Sequence, residues 1–111
     1  MDIVFSDERL ERECNNRRLL VKRYGKKRAD RIQRRIDNLR NAKILEDMRN
    51  VPGRCHELGY NRAGQLSLDL DHPYRLIFEP ANDPIPKKPD GGLNWKQVSV
   101  VRILGIEDTH E

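Results

Sequence analysis

The residues in this chain best suited to chemistry are arginines and histidines, and their placement suits a phosphodiester. Arg75 stands in the alternating run Tyr74-Arg75-Leu76-Ile77-Phe78, on the side opposite Tyr74, Leu76 and Phe78. Arg62 lies in the turn Asn61-Arg62-Ala63-Gly64, and His56 in the extended stretch before it. Asp108 and His110 follow the last apolar run. RNA is cut without a metal when its 2′-OH loses a proton and attacks the neighbouring phosphate. That reaction needs a base, an acid for the leaving oxygen and cations for the crowded phosphate. Histidine titrates near neutral pH and can act as either acid or base. Arginine clamps phosphate oxygens in pairs, most effectively in a preorganised site.

Each residue also has a plain structural reading. Arg75 can pair with an acid on a neighbouring strand, and Arg62 can be a surface turn residue. His56 can be a half-buried structural histidine, and His110 can belong to a mobile tail. His72, before Pro73 in a turn, is read as structural. No one of these signals is specific alone.

These side chains need a scaffold. Residues 2–5 read as a first strand, followed by a helix over about 7–23 with Ser6 or Asp7 as its N-cap and Gly25 as its stop. A second helix is expected over about 27–49. It has Ala29, Ile32, Ile36, Leu39 and Met48 on one face and Arg28, Arg31, Arg34 and Arg35 on the other. Pro52-Gly53 ends it. Strands are then expected over 54–60, over the alternating Leu66-Ser67-Leu68-Asp69-Leu70, over 74–79 and over 95–106. Residues 80–94, with prolines and paired glycines, read as a loop insertion. Helices segregated before an antiparallel meander of about four strands indicate an α+β fold.

The length of 111 residues fits one domain, expected to span 1–111. Charged residues make up 36%, above the ~25% usual for globular chains, so the core must be small. Net charge is only +4, but between Arg17 and Arg40 eleven Lys/Arg face two acids, Asp30 and Asp37. Such a field attracts polyanions; the alternative is a solvated helix face or one covered by an acidic partner protein. Cys14 and Cys55 have no metal-site spacing, and the three histidines have no HExxH pattern, so neither metal nor cofactor is expected. There is no glycine-rich phosphate loop and no GxSxG elbow. No leader-like segment or membrane-length apolar run is seen, so a cytoplasmic protein without membrane contact is expected.

Residues 41–79 resemble the RelE/ParE toxin superfamily in its HigB-like, plasmid-maintenance killer branch. The matching pieces are Asp47-Met48-Arg49, Pro52-Gly53, Leu58, Asn61-Arg62-x-Gly64, Ser67 and Tyr74-Arg75-Leu76-x-Phe78. The ending Ile106-Glu107-Asp108-Thr109-His110 resembles that branch's terminal tail. The resemblance implies a RelE-like fold with an N-terminal strand and helical hairpin packed on the meander. It implies the toxin of a type II toxin–antitoxin system, a metal-independent, ribosome-dependent endoribonuclease. The implied partners are a helix-turn-helix antitoxin, the ribosome and mRNA, and operator DNA only through the antitoxin complex. By position, His56, Arg62, Arg75, Asp108 and His110 match catalytic positions, with Arg54, Thr109, Arg31 and Arg35 as substrate contacts. Thr109 stands where relatives often carry a tyrosine. A threonine cannot stack on a base, which keeps open a weak or inactive relative that acts by binding, as a gyrase-type poison or as an antitoxin and DNA partner. A plain basic RNA-binding module is a third reading.

Overall fold

Leucines alternating with Ser67 and Asp69 sort the central sheet into an apolar and a polar face. In the computed structural model, which describes residues 1–109, the strands are β1 (Asp2–Phe5), β2 (His56–Glu57), β3 (Leu66–Asp69), β4 (Tyr74–Pro80) and β5 (Val100–Asp108). They form one sheet in the order β1-β5-β4-β3-β2. β2 to β5 are antiparallel neighbours, as expected of a meander, whereas β1 joins the sheet as an edge strand parallel to β5. Three helices, α1 (Glu8–Cys14), α2 (Arg17–Tyr24) and α3 (Lys26–Asn41), complete an α+β fold. Leu20, Ala29, Ile32, Ile36 and Leu39 from α2 and α3 pack with Leu66, Leu68, Leu76, Phe78, Val101 and Ile103 of the sheet in one core cluster. Leu66, Leu68, Leu76 and Phe78 are fully buried, so the alternation predicted the core side correctly.

Several boundaries differ from the sequence expectation, each for a local reason. The first helix is two. Asn15 closes α1, and the Asn16 side chain accepts the Leu19 N–H at 3.2 Å to start α2. Asparagine competes for nearby backbone groups in this way, which favours caps over helix interiors. α3 stops at Asn41 instead of running to 49, because the Asp47 carboxylate accepts the N–H groups of Lys43 and Ile44 and a 3₁₀ turn, Leu45–Asn50, follows. The strand expected over 54–60 shrinks to His56–Glu57, because Arg54 and Tyr60 have left-handed backbones (φ +50° and +55°) that end an extended run. Trp95–Gln97 is a 3₁₀ turn, and β5 begins only at Val100, where the Asn82 side chain accepts the Ser99 and Val100 N–H groups. Residues 80–94 are more ordered than a plain loop: Lys87 and Leu93 form a β-bridge, and Leu93 is buried in the core.

α3 is fixed to the sheet by an arginine. Arg35 was expected on the solvated face of its helix, but only 6% of it is exposed. Its Nε donates to the Asp69 carbonyl at 2.9 Å and its Nη1 to Asn38 Oδ1 at 3.4 Å. The side chain runs past Gly53, where a Cβ would stand 2.9 Å from Arg35 Nε. Gly53 also has φ +119°, which a side chain rarely tolerates. Gly53→Ala should therefore destabilise the fold by about 2 kcal/mol, read as a lower urea midpoint at unchanged slope. An unchanged midpoint would mean that Arg35 is free to move aside.

Candidate functional site

The polar face of the sheet holds the residues with chemical potential. Strand register places His56 opposite Ser67, Ser67 opposite Ile77, Asp69 opposite Arg75, and Arg75 opposite Glu107. His56, Asp69, Arg75 and Glu107 therefore share one face. At its β3–β4 end the Asp69 carboxylate serves two arginines. Arg54 Nε donates to it at 2.5 Å, and Arg75 Nε lies 3.3 Å from it. The hydrogen bond to Asp69 raises the Arg54 guanidinium above its ordinary value, and the adjacent negative charge adds to this. Burial, then the neighbouring Arg31 and Arg34, lower that of Arg35, which stays charged as arginines do. Three arginines (35, 54 and 75) thus meet at Asp69, with Arg31 and Arg34 next to Arg35 on α3, and Asp69 is the one carboxylate any of them pairs with among the described residues.

A cavity of about 110 Å³ opens beside this cluster, lined by Arg54, Asp69, His72, Tyr74, Arg75 and Thr109 among others. Arg62 reaches the polar face from the opposite side. Rooted in the turn before β3, it crosses β4 and grips Glu107 on β5 with both guanidinium nitrogens, at 2.6 and 2.7 Å, while its Nε holds Gln65. Ser67 and Ile77, on the same face, are fully buried. The Arg62 hydrogen bond, with its charge adding, holds the Glu107 carboxyl below the usual glutamate range against the effect of burial.

His56 Nδ1 lies 2.7 Å from the Arg54 carbonyl. A carbonyl only accepts, so Nδ1 carries the proton of the neutral ring and Nε2 keeps its lone pair. The cysteines offer no nucleophile: burial pushes Cys55 up to about 12 and Cys14 up to about 11, so both stay thiols at neutral pH. Among the described residues no group of His, Cys, Asp or Glu could hold a metal ion, and no helix is long and apolar enough to cross a membrane.

This chain is similar over nearly its whole length to solved toxin structures. A YoeB/ParE toxin from Agrobacterium tumefaciens aligns over 99% of this chain and 100% of its own, with a TM-score of 0.61 and 11% identity. A YoeB dimer from Staphylococcus aureus aligns over 100% and 98%, with a TM-score of 0.55 and 19% identity. A YoeB–YefM complex from the same organism aligns over 100% and 98%, with a TM-score of 0.56 and 17% identity. The chain has the fold of the YoeB/ParE toxins. No family model and no curated sequence matches it. The RelE-like fold expected from residues 41–79 is thus present, while the HigB-like branch rests on those sequence motifs alone.

Within this toxin fold the predicted residues fall into three sets. Arg54, Arg75 and Thr109 meet at the cavity; Arg35 lies buried on the Asp69 carbonyl, and Arg31 is its neighbour on α3, outside the cavity lining. His56 and Arg62 lie on the same sheet face as Arg75. Asp108 pairs in register with Tyr74, so strand alternation puts it on the other face from Arg75. The Thr109 N–H and hydroxyl both donate to the Pro73 carbonyl at 3.1 Å, which pins the end of β5 to the β3–β4 turn. His110 lies outside the described residues. Asp69 and Glu107 were not predicted as site residues, and His72, read as structural, lines the cavity. Asp69 was recoverable, since a short turn joining residues 70 and 74 forces 69 to face 75.

The Arg62–Glu107 pair has a defined acid response. A carboxyl whose folded-state pKa is depressed stabilises the fold above its unfolded value, 4.5, and loses that contribution as pH falls through the lower folded value. Thermal unfolding from about pH 7 down to about pH 3 should show wild type losing more stability than Glu107→Gln below about pH 5. Equal acid responses would remove the pair from this account.

Proposed function

We propose that the protein is the toxin of a type II toxin–antitoxin pair, of HigB-like type, and that it cuts messenger RNA on the ribosome in the cytoplasm without a metal. The observation that carries this reading is the row of arginines on one polar sheet face of a toxin fold. Arg62 and Arg75 hold the scissile phosphate. Arg54, Thr109 and Arg31 flank it, with Arg35 adding charge from behind. His56 Nε2 takes the proton of the 2′-OH, and the 2′-oxygen attacks phosphorus. The bond to the 5′-oxygen breaks, and that oxygen takes a proton from His110; Asp108, on the other face of β5 from Arg75, is left without a part in this step. The products are a 2′,3′-cyclic phosphate and a 5′-hydroxyl.

The arginines are already paired with carboxylates, so phosphate must displace Asp69 and Glu107. Such half-exposed pairs are worth only ~0–1 kcal/mol each. A bidentate phosphate contact is of equal or greater strength, and the excess positive charge behind Asp69 tips the exchange toward substrate. The partner that silences the toxin is a helix-turn-helix antitoxin, in line with the neighbouring YoeB–YefM complex. Operator DNA is met only through that complex.

One observation favours a second reading. The Thr109 hydroxyl is engaged with Pro73, and no aromatic stands at its position. A relative with little or no catalysis would instead poison gyrase or act only with antitoxin and DNA. On induction in a bacterial host, primer extension on cellular messages should show discrete new 5′ ends. Arg75→Ala should reduce them by at least ~10-fold, with little change in thermal midpoint. DNA-damage signalling without cuts would establish the second reading in place of the first.

A further inference from the structure

Six aromatic side chains are present, and five are committed. Phe78 and Trp95 are buried, the latter beneath the Arg49 guanidinium at 3.9 Å. Tyr74 lies under Arg28 at 3.4 Å, Tyr24 is half-buried beside Arg23, and Phe5 packs against the core. Tyr60 is different: its relative exposure is 101%. Its backbone is also in the left-handed region, at φ +55°. Among the described residues only Tyr60 and Arg54 adopt positive φ without being glycine, and they bracket β2, on which His56 sits. Glycine would adopt this conformation readily, and a bulky residue does so at a cost. A strained backbone that holds a large ring wholly in water serves no packing purpose. Strain of this kind collects at binding sites.

The surroundings say what such a ring would meet. Tyr60, Asn61 and Arg62 form one 3₁₀ turn. From that turn Arg62 reaches Glu107, the register partner of Arg75, which in turn shares Asp69 with Arg54. An exposed ring at one end of a line of guanidinium groups is the combination that binds single-stranded nucleic acid: cations follow the backbone, and an aromatic stacks on a base. We propose that Tyr60 is the stacking platform for one unpaired base of the RNA whose backbone lies along Arg62 and Arg75. This inference rests on the RNA reading above.

The test uses the purified full chain and a fluorescein-labelled single-stranded decaribonucleotide at low salt, together with copies carrying one abasic position in turn. Tyr60→Leu should weaken binding roughly 5- to 100-fold, and Tyr60→Phe should keep it. In wild type one abasic position should cost a similar factor, and in Tyr60→Leu that position should cost nothing further. Tyr60→Gly relieves the backbone, so it should unfold no earlier than wild type while showing the same binding loss. Loss of binding with no abasic effect would overturn stacking and point to a protein-facing role. If Tyr60→Leu binds like wild type while Arg75→Ala does not, the stacking proposal fails and the arginine site stands. If Arg62→Ala and Arg75→Ala both bind like wild type, the RNA reading fails and takes Tyr60 with it.

Discussion

Asp69 joins four separate parts of the chain. Its N–H donates to the Gly53 carbonyl at 2.7 Å, its own carbonyl accepts from Arg35, and its carboxylate takes Arg54 and Arg75. The segment before β2, the end of β3, the start of β4 and the middle of α3 are thereby fixed to one another. The backbone half of this junction is the more demanding. Arg35 is a buried charge whose hydrogen bonds are made to a carbonyl and an amide, and a buried guanidinium that lost them would carry its full desolvation cost. The side-chain half is softer, because Arg54 is largely exposed and water can replace Asp69 there. The scaffold is held by a buried hydrogen bond where it meets α3 and by exchangeable ion pairs where it faces solvent, as the proposed phosphate site would require.

How much of this could be read in advance depended on the distance between partners. The leucine alternation of β3 and the Tyr74–Phe78 run identified the sheet and its buried side, because a period of two leaves no other choice once one face is apolar. The same hairpin arithmetic contains the Asp69–Arg75 pair. The Arg62–Glu107 pair was not legible: its members are 45 positions apart and meet only because β5 closes onto β4. The placement of Arg35 failed for another reason. A helical wheel separates charged from apolar positions, but a long guanidinium side chain can lie flat along apolar surface and end on a backbone carbonyl. β2 was expected too long, over 54–60, because propensity does not register that Arg54 and Tyr60 take backbones normally left to glycine.

The basic run between Arg17 and Arg40 divides in three dimensions. Arg17 and Lys26 share Asp30, Arg40 lies 4.0 Å from Asp37, Arg23 meets Glu13, and Arg28 meets Asp71 while covering the Tyr74 ring. These pairs blunt the field along most of the helical layer. Arg31 and Arg34 have no such partner among the described residues, and they neighbour Arg35 on α3. The charge excess that looked diffuse along the sequence is therefore partly cancelled by pairing, and what is left includes Arg31 and Arg34 beside Arg35 on α3. Small net charge and strong local field are compatible because pairing is selective.

Asp69 and Glu107 also order the arginines they pair with. Several guanidinium groups on one small face repel one another, and without a counter-charge their side chains would splay into solvent. Each carboxylate holds two arginines, or one arginine in two-point contact, in the orientation a phosphate would need. The ordering entropy of long side chains, up to ~2 kcal/mol apiece, is then met during folding instead of on binding. In the proposed RNA site the carboxylates would act as place-holders: attractive enough to keep the arginines aimed, and exposed enough to yield to a polyanion that contacts several of them at once.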